Sequence, residues 1–274
     1  MFIGWLKYRD VPKIVEIANN VGWLSDAFHL NLMLKYSPNL CYGAYDGDKL
    51  VGAVLALEFE KSAMIKYLMV APEYQKQGVG TRLFETILSV IEPYYEHTYL
   101  HANPMLLEFF KRYGFEKKIE VGRYLNVGKV PPFHFTNAHA KELEGSNFDA
   151  IISKLDYETF GEDRLAFLMD EMERNSSLRF ALADGFQHSS VVSARNIYLG
   201  PWQVKPEAKE EAEKLMKGIL YFRGLRRIYA DIPLSEKHVV DLYESYHFKK
   251  EQTFYHMSLG KESIKFENIY AFSL

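Results

Sequence analysis

The sequence predicts an α/β (α+β) protein of two domains, and three observations carry that reading. Its 274 residues exceed the roughly 250 that a single hydrophobic core usually serves. Residues 64–70 read as a buried strand that passes through a glycine-bearing joint into a helix starting at Val79. The second half then shows a faint repeat of the order of elements in the first.

The joint organises the chain. MIKYLMV ends at Pro72, helical spacing begins at Val79, and between them stands Gln75-Lys76-Gln77-Gly78-Val79-Gly80. Two positions without a Cβ let successive N–H groups converge on one point, and the helix adds its own unpaired N–H groups and the positive end of its dipole. Such a cradle holds a diphosphate through main chain. A dinucleotide fingerprint needs a small residue where Leu83 stands, and a P-loop needs Gly-Lys-Ser/Thr where Gly80-Thr81-Arg82 stands, so neither applies. A bare GxG also suits a plain tight turn, and its neighbours have to decide.

In chain order, residues 2–8 read as a strand, with Asp10 as N-cap and Pro12 in the first turn of a helix to about residue 20. Val21-Gly22-Trp23 breaks it, and Ser25 or Asp26 caps a second helix to about Tyr36. Trp23 and Phe28 suit either the lining of a pocket or the core, and aromatic residues at helical spacing more often belong to the core. Residues 40–45, 50–59 and 64–70 form an antiparallel meander, its first turn made by Asp46-Gly47-Asp48, and Gly52-Ala53 admits a close neighbour. A helix over 79–91 and a strand over 98–102 follow. A helix over 104–113 is closed by Gly114 as an αL cap.

Gln-x-x-Gly-x-Gly after an apolar strand and Val-Ala-Pro-Glu-Tyr resembles the coenzyme A loop of the GNAT superfamily of N-acyltransferases. Asn103 followed by LLEFFKRYGF resembles that family's second signature. The resemblance covers roughly residues 2–128. It implies a mixed, mostly antiparallel sheet flanked by helices, acetyl-CoA as co-substrate, and a strand after the glycine loop that splays from the strand before it so that the pantetheine arm fills the gap. It also implies cofactor contacts at Leu68, Met69, Val70, Gln75, Lys76, Gln77, Gly78, Val79, Gly80, Thr81, Asn103 and Phe110. Two departures stand out. Phe110 occupies the position of a tyrosine that protonates the departing thiolate, and Met64 and Lys66 occupy positions where a glutamate relays the amine's proton. Glu58, Glu60 or a residue of the second domain remains as a base, and Glu58 and Tyr113 are the catalytic candidates. Tyr113 lies three helical residues from Phe110, about 60° away in bearing.

Residues 126–147, with Gly128, Pro131, Pro132 and Gly145, read as a connector, giving domains 1–130 and 131–274. In the second half, 179–184, 191–195 and 197–201 read as strands, 206–221 as a helix, 227–231 as a strand and 236–246 as a helix. Tyr243 falls where the first half has Phe110. The glycine loop does not recur: Gly200-Pro201-Trp202-Gln203-Val204-Lys205-Pro206 stands there, and its prolines remove N–H donors. This half resembles the degenerate second half of tandem GNAT proteins, with Phe160-Gly161-Glu162-Asp163-Arg164 part of the likeness.

A formal charge of −3 with 48% hydrophobic and 25% charged residues is an ordinary globular balance. It gives no overall basic field for nucleic acid or membrane, although a local patch can hide in such an average. Cys41 is the only cysteine, which fits a reducing compartment, cytoplasm or nucleus. The nine histidines show no metal-ligand spacing, so no metal is expected. The expected function is transfer of an acetyl group from acetyl-CoA to a primary amine on a small molecule or peptide by direct attack. The alternative is a non-catalytic acyl-CoA-binding sensor or scaffold.

Overall fold

The computed structural model describes residues 1–143, 147–261 and 263–273; Gly145 of the expected connector lies outside them. The chain divides into two compact units. Met1–His101, Phe110–Glu116 and Met257–Glu262 make the first; Ala102–Phe109, Lys117–His256 and Ser263–Leu274 make the second. Residue 130 lies inside the second unit.

The first unit opens with β1 (Phe2–Trp5), which is shorter than the sequence suggests because residues 8–10 turn into a 3₁₀ helix. Asp10 occupies the N-cap position of α1 (Val11–Asn20), but its side chain makes no capping hydrogen bond. Its carboxylate instead accepts from the Lys7 N–H at 2.8 Å and the Tyr45 hydroxyl at 3.0 Å. Asp26 does cap α2 (Ala27–Tyr36), accepting from His29 N–H at 2.8 Å. β2 (Cys41–Asp46), β3 (Lys49–Glu58) and β4 (Ser62–Val70) form the expected meander. α3 (Val79–Ile91) follows, then β5 (His97–Ala102), while α4 (Leu107–Lys111) is divided, with Phe110 and Lys111 counting with the first unit and residues 107–109 with the second. The strand order is β1-β2-β3-β4-β5. α3 buries Val79, Leu83, Phe84, Ile87, Leu88 and Ile91, a helical stripe. Leu83 Cδ1 would stand 3.1 Å and Met69 O 3.0 Å from a Cβ at residue 52, so a side chain there would require helix or strand to shift slightly.

In the second unit come β6 (Glu116–Val127), α5 (Asn137–Glu142), α6 (Phe148–Phe160), α7 (Leu165–Met172), β7 (Leu178–Ala181), β8 (Gly185–Val191) and β9 (Asn196–Val204). After them come α8 (Lys209–Arg223), β10 (Arg227–Pro233), α9 (Lys237–Ser245), β11 (Lys249–Gly260) and β12 (Ile269–Ala271). Strand order is β6-β10-β9-β8-β7, with β12 paired to β9. Two sequence expectations fail. The strand sought at 191–195 is β8, displaced toward the N-terminus, with residues 193–196 forming a turn closed by Asn196 N to Ser193 O at 3.2 Å. Residues 202–204, beyond the strand expected at 197–201, are not a loop but the end of β9. The core gathers Trp202, Leu215, Ile219, Ile228, Tyr243 and Tyr270 between sheet and helices.

Candidate active site

β4 carries one residue more than β3 opposite it: Leu55 faces Tyr67 and Ala56 faces Ile65, which leaves Lys66 as a bulge. A bulge bends its strand and increases the twist. On the other edge, β4 runs parallel to β5 only from Ser62 opposite His97 to Ile65 opposite Leu100, so the strands part at the bulge. Leu68 and Val70 beyond it are half-buried. Main-chain donors and acceptors along such a wedge call for a partner from outside the sheet.

The glycine loop sits at the wide end of this wedge. Lys76 and Gly78 take left-handed conformations, φ 59° and 77°, and Gly78 is the N-cap of α3 with no side chain capping it. The first turn bonds from Arg82 N to Gly78 O at 3.0 Å, so the N–H groups of Val79, Gly80 and Thr81 have no acceptor within the helix. The two glycines differ in kind. Gly78 is fixed by its φ, whereas Gly80 is not left-handed and a Cβ there would make only ordinary contact with Val70 Cγ2 at 3.6 Å. Nothing inside the protein asks for glycine at 80, so its bare backbone serves an approach from solvent.

Side chains brace the loop. Gln75 Nε2 donates to Val70 O at 3.0 Å and Gln77 Nε2 to Glu73 O at 2.9 Å. The Tyr74 hydroxyl donates to Asp46 Oδ2 at 3.0 Å and Lys49 Nζ to Glu73 Oε1 at 3.2 Å, tying the loop to the turn between β2 and β3. The Asp46 hydrogen bond is the main cause that raises the Tyr74 pKa. Cradle and brace together leave a site open to a diphosphate and, along β4, to an extended amide chain.

Not every residue expected at the site gathers there. Glu58 lies at the other end of β3, five residues from Ala53, the partner of Met69, or roughly 17 Å by strand rise. Its carboxylate accepts from the Tyr95 hydroxyl, and burial followed by that bond raises the Tyr95 pKa. Tyr113 donates its hydroxyl to Glu85 Oε1 at 2.9 Å, on the exposed side of α3; desolvation and that bond raise its pKa. Phe110 is buried, its ring 5.2 Å from Phe84 and 6.1 Å from Phe115. Met64 is buried and Lys66 half-buried. Asn103 counts with the second unit, where its Oδ1 accepts from Met105 N at 3.0 Å. Burial, then the Glu58 charge, pushes the Cys41 thiol up to about 12.

One correction concerns α1 and α2. Trp23 and Phe28, expected in the core, are each 37% exposed, and Trp23 lies 6.1 Å from Tyr67 on β4. The sequence carried no signal for the bulge at Lys66, since nothing in MIKYLMV breaks strand propensity.

The second unit has a corresponding wedge with a different content. β10 pairs parallel to β9 only to Tyr229 opposite Tyr198. Beyond that point β12 lies along β9, with Ile269 opposite Gln203 and Ala271 opposite Trp202, and Phe272 N reaches Asp231 O of β10 at 2.9 Å. The first turn of α8 carries Glu210 and Glu211, whose charges repel an anion.

This is the fold of acyl-CoA-dependent acyltransferases, present twice. Family models described as "Acetyltransferase (GNAT) domain" match residues 25–125 and 152–273, and the chain belongs to the GNAT family as a tandem protein. Solved structures share the whole architecture. A Pyrococcus horikoshii protein described as a candidate acetyltransferase superposes with TM-score 0.81 at 21% identity over 100% of this chain and 94% of its own. A tandem GNAT protein from the clavulanic acid biosynthesis pathway gives 0.66 at 12%, covering 95% and 98%. A GCN5-related N-acetyltransferase from Sphaerobacter thermophilus gives 0.64 at 12%, covering 98% of each. At these identities the likeness is one of fold. No protein of curated function matches the sequence.

Proposed function

We propose that the chain is an N-acetyltransferase that moves an acetyl group from acetyl-CoA to a primary amine of a small molecule or peptide, using the first unit. The observation that carries this reading is the open wedge beside β4 meeting an uncapped, glycine-led helix. In this reading the N–H groups of Val79, Gly80 and Thr81 hold the diphosphate. Main-chain groups of Leu68, Met69 and Val70 hold the pantetheine amides, and N–H groups near Met69 and Val70 stabilise charge developing on the carbonyl oxygen. When bound, acetyl-CoA supplies an activated thioester.

Proton transfer differs from the family pattern. No carboxylate stands at Met64 or Lys66, so the amine is selected in its neutral form and positioned for direct attack. Phe110 has no proton to give, so coenzyme A departs as a thiolate, tolerable for a thiol with a pKa of about 8.5, and the proton lost by the attacking nitrogen passes to water.

The test is release of free thiol from acetyl-CoA across a panel of amines, alongside calorimetric binding of coenzyme A. Turnover with at least one amine is expected. Tight binding without turnover on any amine would favour the second reading, an acyl-CoA-binding sensor or scaffold, which Phe110 and the remote Glu58 motivate.

A further inference from the structure

At the end of the second unit where β9 and β10 begin, several stretches of chain meet. Arg227 N donates to Arg195 O at 3.3 Å, and Arg227 stands opposite Val127 of β6 and Asn196 of β9. The turn between α8 and β10 lies against the exit of β6: a Cβ on Gly128 would stand 3.3 Å from Leu225 O, and one on Gly224 2.8 Å from Val130 Cγ2. Arg223 Nη2 donates to Ser176 O at 2.6 Å.

The strands and turns at this end carry cations and no carboxylate, while the stretch leading to Ser176 carries Glu171, ion-paired with Arg174, and the exposed Glu173. Residues 121–136, 185–204 and 214–230 contain no Asp or Glu. Lys129, Arg195, Arg226 and Arg227 are exposed, and among the described residues none of the four pairs with a carboxylate; the Arg227 guanidinium donates to the Tyr229 hydroxyl at 2.9 Å. Burial, then the Arg226 charge, lowers the pKa of Arg223, as expected where cations gather without counter-ions. Apolar side chains stand among them. Leu225, at the tip of the turn, is 97% exposed, Val127 52%, Phe222 49% and Tyr221 47%.

The geometry points to a docking surface for an anionic phospholipid bilayer on this end of the second unit. The overall charge of −3 averages the patch away. A nucleic acid would engage the cations and leave Leu225 in water. A lipid surface uses each class of side chain: the cations reach headgroup phosphates, Tyr221 and Phe222 suit the interfacial layer, and Leu225 enters the acyl boundary.

The test is co-sedimentation of the full chain with vesicles of phosphatidylcholine mixed with phosphatidylglycerol, against phosphatidylcholine alone. Binding to the mixed vesicles only is expected. Arg226→Ser with Arg227→Ser should weaken it about 25-fold, about fivefold per cation. Leu225→Ser, at unchanged charge, should weaken it about tenfold. Melting curves confirm that the exposed substitutions leave the fold intact. Binding to neither vesicle, equal binding to both, or full-strength binding by Leu225→Ser would overturn the proposal. So would tighter binding of a fluorescent oligothymidylate or polyglutamate, which would assign the patch to nucleic acid or an acidic polypeptide.

Discussion

The two wedges of this molecule start from the same arrangement and end differently. In the first unit the parallel pair β4 and β5 separates after Ile65 and Leu100, and the strand order places no further strand between them. In the second, β9 and β10 separate after Tyr198 and Tyr229, and β12 lies in the opening with main-chain bonds toward both sides. The backbone groups exposed by the splay are thus satisfied in one unit by the protein's own chain and in the other left for a ligand. Neither helix start has a capping side chain, and they differ in what stands there: glycines at α3, two glutamates in the first turn of α8. A domain that keeps the fold while filling its cleft with its own strand retains packing value and loses the donor site.

The comparison breaks most sharply at Gly80. Its Cβ would be tolerated by the fold, so Gly80→Val should remain folded while its side chain obstructs the approach of a diphosphate to the N–H groups. Two lost charge-assisted hydrogen bonds correspond to about 100-fold or more in coenzyme A affinity, read by calorimetry. Unchanged affinity in a folded variant would remove the cradle. The same titration on the unmodified chain should give one coenzyme A per chain; a value near two would mean that β12 does not close the second wedge.

On the filled side the critical contact is Gly200, φ 148°, where a Cβ would stand 2.0 Å from the Phe272 carbonyl oxygen. Gly200→Ala should destabilise the second unit by about 2–4 kcal/mol, seen as a lowered melting temperature, and leave coenzyme A affinity in place. A parallel loss of affinity would show that the first unit's site depends on that packing.

Much of the first unit was legible because local rules agreed with one another: α3 begins and ends where the glycine joint and Pro93 put it, and the meander follows its turn residues. The second unit was less so. GFQHSSV carries polar residues through the interior, with Gln187, His188 and Ser189 all buried, so alternation failed and the strand was sought too late. β12 is three residues long, too short for any periodicity, and its partner strand is distant in sequence. At the site, the loop was readable because glycine spacing is a backbone property, but Glu58 could not be placed because register and the bulge at Lys66 are tertiary facts.

The buried polar strand also distinguishes the units in acid. His188 lies between Gly200 O at 2.9 Å and Ser177 Oγ at 2.8 Å, and burial chiefly lowers its pKa from 6.5 to about 4. A depressed histidine pKa means that the unfolded chain binds the extra proton first. The contribution to stability is therefore complete above about 6.5 and is lost as pH falls toward about 4. Melting followed across that window should show the second unit weakening on acidification, with a shallower slope in His188→Gln. An identical slope would place the sensitive group elsewhere.

The smallest expected effect concerns the two aromatic positions of α4 and its exit. Phe110→Tyr adds one oxygen at a ring packed against Phe84 and Phe115. The fold should survive, at up to about 1–3 kcal/mol if the hydroxyl stays unsatisfied, and turnover should hold or rise if that oxygen reaches the leaving thiolate. Tyr113→Phe removes only a hydroxyl held by Glu85 on the exposed side of α3. A surface hydrogen bond of this kind contributes about 0.5–1.5 kcal/mol at most, and kcat with the best amine should change little. If kcat collapses in Tyr113→Phe while coenzyme A affinity is retained, the hydroxyl must leave Glu85 during the reaction and serve as the proton donor that Phe110 cannot be.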